Sequence, residues 1–145
     1  MVLARQRVGT SLLEIIIAVG LVSVILISLV SLSTKSVSNS TVSKEKNQAT
    51  RHTQETIEWL RLQRDTSWSD MISHVQANST WCMAENEWNS PGSCSGQSIP
   101  DSNFVREVTF AQPQDDIVEV TVITSWTEGG NAHESRSTTL LTKWQ

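Results

Sequence analysis

An unbroken apolar run near the N-terminus, residues 9–32, limits what this chain can fold into more than any other feature. At about 1.5 Å of rise per residue, roughly 20 apolar residues in a helix cross the ~30 Å hydrocarbon core of a bilayer. The run holds a single charged side chain, Glu14, close to its start. A carboxylate at the centre of a membrane helix costs about 2.5–3.5 kcal/mol, and nearer an end it is still uncommon without a partner or a role. The run therefore predicts a membrane helix that carries a functional acidic residue.

The charges and cysteines indicate which side of the membrane holds the rest of the chain. Arg5 and Arg7 precede the run and no acidic residue does, which favours a cytoplasmic N-terminus and an extracytoplasmic remainder. Without residues 1–9 the chain has nine basic and fifteen acidic side chains, a net charge of −6, which gives no support to strong electrostatic binding of nucleic acid. Cys82 and Cys94 are the only cysteines, and in an exported chain such a pair favours a disulfide. The three histidines are scattered, so no metal site and no cofactor are expected.

The pattern after residue 9 predicts an α+β fold, with a long N-terminal helix packed on a small antiparallel sheet of about three to four strands. Between residues 10 and 64 there is no proline and one glycine, Gly20, so nothing interrupts a helix. Residues 65–103 are rich in turn-forming residues and predict short elements and loops. Trp59 and Leu62 are predicted to pack on the sheet beside one narrow buried stripe of the helix. The stripe consists of Ala49, Thr53, Thr56, Ile57 and Leu60.

The C-terminal third predicts strands. Three runs alternate apolar and polar residues: residues 104–110, 117–126 and 134–144. In the first run Phe104, Val108 and Phe110 share one face, and Arg106 is the exception on that face. Two adjacent glycines at 129 and 130 tolerate positive φ angles, so the last two runs are predicted to form an antiparallel hairpin with a somewhat longer loop.

The spacing of Gly9, Thr10 and Glu14 has a physical use. Cleavage after Gly9 would place Glu14 at the fifth position from a new α-amino group, and the ammonium of one subunit and the carboxylate of its neighbour would neutralise each other. Together with the basic leader and the unbroken apolar helix, this pattern resembles that of type IV pilins and pilin-like proteins. The resemblance implies that a prepilin peptidase cuts between Gly9 and Thr10 and methylates the amine of Thr10. It also implies that the helix moves from the inner membrane into contact with other pilins during assembly, with Glu14 setting its register.

The resemblance implies a domain organisation as well. Residues 1–9 are the leader, 10–33 the transmembrane and assembly half of the long helix, and 34–145 an extracytoplasmic pilin-like domain. The residue pattern divides that domain further: 34–64 is the second half of the helix, 65–103 a variable loop region outside the resemblance, and 104–145 the antiparallel strands. The strands that end near Trp126 and Trp144 resemble the end of minor pilins of the pilus-modification type. Thr10 stands where the family usually has Phe, and the helix lacks the proline common in major pilins; both departures are tolerated more often among minor pilins.

The expected function is that of a non-enzymatic minor type IV pilin, made as a single-pass inner-membrane precursor and then built into a cell-surface pilus or its tip or initiation complex. One alternative is a pseudopilin of a type II secretion system. Another is a DNA-uptake or adhesive pilin in which Trp68, Trp81 and Trp88 contact nucleic acid or carbohydrate. An enzyme has little support, because the chain has no Gly-x-Ser-x-Gly, phosphate-binding loop or His-Glu-x-x-His motif.

Three other interpretations of the N-terminal run stay open. It can be a signal peptide cut after Ser33, although its apolar part exceeds the usual length of about 7–15 residues. It can be an uncleaved anchor, which leaves Glu14 unexplained. Finally, Glu14 can simply lie at the membrane interface, where the positive end of the helix dipole favours a carboxylate.

Overall fold

The computed structural model of the chain describes residues 8–75, 79–88 and 90–143, with side chains from residue 12 onwards. Residues 1–7 of the expected leader, and Trp144, lie outside the described residues. The chain divides into two compact units, Met1–Thr41 and Val42–Gln145. In chain order the elements are α1 (Val8–Thr66), α2 (Trp68–His74), β1 (Thr80–Cys82), β2 (Val105–Gln114), β3 (Ile117–Glu128) and β4 (Asn131–Thr142).

The first unit contains the apolar part of α1. All side chains from residue 12 to residue 40 are exposed, and the large apolar ones from Leu12 to Leu32 are between 54% and 68% exposed. Three hydroxyls in and just after this part donate back to the carbonyl four residues earlier: Ser23 to Val19 (2.8 Å), Ser28 to Val24 (2.8 Å) and Thr34 to Val30 (3.0 Å). The helix therefore satisfies these polar side chains by itself.

In the second unit α1 packs on the sheet through the stripe that the sequence predicts. The stripe residues are all buried: Ala49, Thr53, Thr56, Ile57 and Leu60. Trp59 is half-buried against the core, as expected. The prediction for Leu62 is wrong, because this side chain is 60% exposed. Two residues after Leu60 at about 100° per residue, it lies on the opposite side of the helix from the stripe.

The sheet has the order β1-β2-β3-β4 and is antiparallel throughout, which confirms the α+β fold with a long helix on a small antiparallel sheet. In β3 every second side chain is buried, and this face forms the core under α1 with residues from β2 and β4. Besides Arg106, the buried residues on this face are Val108 and Phe110 of β2, Val118, Val120, Val122, Thr124 and Trp126 of β3, and Leu141 of β4. At about 25 cal/mol per Å² of apolar surface, burial of this face is the main source of stability for the unit.

The hairpin between β3 and β4 is tighter than predicted. Glu128 pairs directly with Asn131, so Gly129 and Gly130 form a two-residue turn with φ angles of 57° and 80°. Positive φ at both central positions matches the right-handed twist of the flanking strands, and glycine adopts it without steric cost. The tight turn starts β4 at Asn131, three residues before the predicted strand.

Arg106 is the buried exception on the inner face of β2. Its side chain is 3% exposed and donates to three backbone carbonyls: Met83 (2.7 Å), His52 (3.1 Å) and Ala84 (3.4 Å). Burial lowers the pKa of the Arg106 guanidinium from its ordinary value, while the nearby Glu55 carboxylate opposes that shift. An arginine keeps its charge in such a site, so Arg106 ties α1, β2 and the segment after β1 together through charge-assisted hydrogen bonds.

Two threonines join α1 to the middle of the sheet. Thr53 and Thr124 are both buried, and their hydroxyl oxygens are 2.9 Å apart. Thr53 donates its hydroxyl proton to the carbonyl of Ala49 (2.9 Å), so the hydroxyl of Thr124 is the donor to Thr53. This chain of two hydrogen bonds satisfies both hydroxyls inside an otherwise apolar interface.

Candidate assembly segment and candidate binding groove

The candidate assembly segment is the part of α1 from Leu12 to Leu32. By length and composition α1 is able to span a membrane, with a mean hydropathy of 3.0 over its most apolar 18 residues and none of that window buried. A continuous exposed apolar surface of this kind in water would be far larger than the few hundred Å² that soluble monomers usually leave open. Lipid or another protein must therefore cover the segment.

Glu14 is the one charged side chain inside the assembly segment, and it is exposed. Among the side chains that the structure describes, none forms a hydrogen bond or an ion pair with its carboxylate. Ala18 lies four residues further along and therefore about one turn away on nearly the same side of the helix. A carboxylate in this position can bind a cation that a neighbouring molecule brings to it.

Gly9 and Thr10, the predicted processing residues, lie in the first turn of α1. Their backbone is helical from Val8 onwards, and nothing is described of the Thr10 side chain. In this helical backbone Glu14 follows Thr10 by four residues, which is about one turn. The predicted new terminus and the carboxylate therefore lie at the same end of the helix.

The disulfide expected between Cys82 and Cys94 is present, with a Cα–Cα distance of 4.8 Å. It closes a loop that returns to β1, because the amide of Cys82 donates to the carbonyl of Ser90 (2.9 Å) and the amide of Gly92 donates to the carbonyl of Thr80 (2.7 Å). At the far end, the amide of Cys94 donates to the carboxylate of Glu107 (2.7 Å). The loop is therefore held against the edge of the sheet at several points.

Trp88, inside the disulfide loop, is the centre of a cluster of rings. Its ring centroid lies 4.8 Å from that of His74 in a stacked arrangement, 5.1 Å from that of Trp59 and 5.2 Å from that of Trp81. The indole N–H of Trp81 donates to the carbonyl of His74 (3.1 Å), which fixes the orientation of that ring. The structure thus brings Trp81 and Trp88 together, two of the three tryptophans predicted as ligand contacts. Trp68 packs against the core and makes no ring contact with the residues that the structure describes.

A groove of about 330 Å³ opens beside this cluster, and we call it the aromatic groove. Its described lining consists of Ser73, His74, Ser79, Thr80, Trp81 and Pro91. Trp81 is thus the one predicted tryptophan among the described residues that line it. The sequence gives no signal for the other five, because they come from α2, from β1 and the residue before it, and from the disulfide loop, and nothing in their spacing shows that these segments meet.

Among the described residues no group of three or more His, Cys, Asp or Glu side chains is placed to hold a metal ion. Comparison of the chain with protein-family models, with curated proteins and with solved structures gives no match, so its function has to be argued from its own residues.

Proposed function

We propose that this chain is a minor type IV pilin, a non-enzymatic structural subunit that joins a filament through the assembly segment. The observation that carries the proposal is the lone exposed carboxylate of Glu14, about one helical turn from Thr10 and within a fully exposed apolar helix. In an uncleaved anchor or an ordinary signal peptide, only the helix dipole favours a charge there. A processed pilin gives the charge a further use, because it becomes a contact between subunits.

In the proposed pathway the precursor is inserted in the inner membrane with Arg5 and Arg7 on the cytoplasmic side. A prepilin peptidase cleaves between Gly9 and Thr10 and methylates the new amine. The ammonium of Thr10 in one subunit then pairs with Glu14 of its neighbour. In low dielectric this pairing is far stronger than in water, and a shift along the helix leaves both charges buried without partners. The pair therefore favours a single register between subunits.

Cleavage is tested by the intact mass of the exported protein after coexpression of the full chain with a prepilin peptidase. We expect a chain that starts at Thr10 and carries the added mass of one methyl group. Gly9→Val should block cleavage, because a branched side chain then flanks the scissile bond. Gly20→Val is the matched control, since a Cβ at Gly20 meets no atom within 4 Å. A product that starts at Thr34 or at Met1 would show that the proposed processing does not occur.

Assembly is tested by moving the carboxylate instead of only removing it. The double variant Glu14→Ala with Ala18→Glu keeps the composition of the helix and shifts the charge by about one turn. We expect it to be cleaved normally but to enter sheared filaments at less than about one tenth of the wild-type level, like Glu14→Gln. Glu58→Gln is the control for Glu14→Gln: it makes the same Glu-to-Gln change on an exposed part of α1 outside the assembly segment, and this variant should incorporate normally. Normal incorporation of the shifted variant would refute the role of Glu14 in register.

The second candidate within this class is a pseudopilin of a type II secretion system, which would use the same cleavage and the same carboxylate. Deletion of the gene distinguishes the two, because a pilin is required for surface filaments and a pseudopilin for release of secreted enzymes. We expect filament number or length to fall and secretion to remain unchanged.

A further inference from the structure

We propose that the aromatic groove binds a neutral saccharide. This binding site lies within Val42–Gln145, and the proposal holds whether or not the chain is processed as a pilin. A volume of about 330 Å³ is at the lower end of the roughly 300–1,000 Å³ that ligand pockets usually enclose, which suits one or two sugar rings.

The groove combines the two kinds of surface that a sugar ring requires. Trp81, His74 and Pro91 supply flat or apolar walls. The negative face of an aromatic ring attracts the weakly positive C–H groups on one face of a sugar. The lining residues Ser73 and Thr80 carry hydroxyls that can bond to the sugar hydroxyls at the ring edge; Ser73 acts there as an acceptor, because its own proton goes to the carbonyl of Asp70 (2.7 Å).

His74 contributes an acceptor of defined position. Its Nδ1 lies 2.9 Å from the carbonyl of Asp70, and because a carbonyl only accepts, Nδ1 carries the proton. In the neutral ring Nε2 is then a lone-pair acceptor for a ligand hydroxyl. Stacking on Trp88 with 11° between the ring planes holds the imidazole in this orientation.

Ser79 gives the groove an unsatisfied polar atom. Its Oγ is shielded from solvent and has no hydrogen-bond partner among the residues that the structure describes. A polar group left in that state weakens a folded structure, and a ligand hydroxyl becomes its partner when the Ser79 side chain rotates toward the groove. Binding that includes this rotation therefore removes a cost that the free protein carries.

The charge of the lining selects a neutral saccharide over a nucleic acid. None of the described lining residues carries a carboxylate, ammonium or guanidinium group. Nucleic-acid affinity depends on Lys and Arg side chains that neutralise phosphates, and the net charge of the whole chain is −4. Stacking of a base on the half-buried Trp81 does not replace those ionic contacts with phosphates.

The test measures binding of cellobiose and chitobiose to the full chain in lipid nanodiscs, which avoids detergents with sugar headgroups. Saturation-transfer NMR detects which ligand protons contact the protein, and titration gives the Kd. We expect saturable millimolar binding of at least one disaccharide, with signal from the ring C–H protons. Thr80→Val should weaken this binding about fivefold to tenfold, the effect of one lost hydrogen bond. Trp81→Leu should abolish it.

Thr138→Val is the matched control for Thr80→Val. It removes a threonine hydroxyl from an exposed position of β4, where the hydroxyl oxygen lies 3.0 Å from that of Thr121, and it should leave the Kd unchanged. If Trp81→Leu does not fold, Thr80→Val and Ser79→Ala decide the question alone. The proposal is overturned if neither disaccharide binds saturably, if Thr80→Val and Ser79→Ala both bind like wild type, or if a thymidine oligonucleotide binds the groove in their place.

Discussion

Replacement of Arg106 by methionine should lower the free energy of unfolding of Val42–Gln145 by about 2–4 kcal/mol. Methionine retains most of the side-chain volume but none of the donors. The carbonyl of Met83 then loses a 2.7 Å charge-assisted hydrogen bond, and that of His52 loses one of 3.1 Å. Each such bond contributes about 1.5–3 kcal/mol, whereas the 3.4 Å contact to Ala84 adds little. Removal of the buried charge, whose burial lowers the pKa of Arg106, offsets part of this loss.

Tryptophan fluorescence during urea titration is the assay. All six tryptophans lie within residues 59–144, so in micelles the signal reports the second unit and not the apolar segment. Arg136→Met is the matched control, because Arg136 is exposed and forms a surface ion pair with Glu134 at 3.3 Å; we expect a change within about 0.5 kcal/mol. The loss of stability for Arg106→Lys should lie between those for Arg106→Met and Arg136→Met, since one ammonium cannot bond to the carbonyls of both Met83 and His52. A loss below about 1 kcal/mol for Arg106→Met, or an equal loss for Arg136→Met, would refute the role assigned to Arg106.

Two further predictions concern contacts that cross between elements. Reduction of the disulfide between Cys82 and Cys94, or its replacement by two serines, should lower stability by about 3 kcal/mol, the chain-entropy value for a loop of this length. It should also broaden the NMR signal of the Trp88 indole; a reduced protein with unchanged urea midpoint would contradict this. Thr53→Val should cost about 1–3 kcal/mol because it leaves the buried Thr124 hydroxyl without an acceptor. The double variant Thr53→Val with Thr124→Val should recover most of that loss in the same titration, and additive losses would show that the two hydroxyls act independently.

Those parts of the fold that depend on local pattern could be predicted from the sequence. The absence of proline between residues 10 and 64 predicts a helix, and α1 ends two residues beyond that range. Alternation in the last third predicts three strands because the side chains on one face of each strand are less exposed than those on the other. The predicted hairpin loop is longer than the observed one. Adjacent glycines allow either a tight turn or a longer loop, and the pairing of Glu128 with Asn131 determines that the turn is tight.

The parts that depend on contacts between distant residues could not be predicted. β1 has three residues, too few to show alternation, and it is a strand because it pairs with residues 107–109 of β2. Arg106 stands out in the sequence as a charge on an inner face, but its three carbonyl partners come from α1 and from the segment after β1. The aromatic groove is similar: Trp81 is recognisable as a candidate, whereas its neighbours His74 and Pro91 meet it only in the folded unit.

The hydroxyls along the assembly segment have a consequence for its transfer between environments. Ser23 and Ser28 donate to carbonyls of their own helix, so neither hydroxyl depends on water, lipid headgroups or a neighbouring subunit for its hydrogen bond. Exchange of lipid for protein around the helix then breaks no polar contact of these side chains. In the proposed assembly Glu14 is the one charged side chain of the segment and gains a partner there, which concentrates the environmental preference of the segment in one ionisable group.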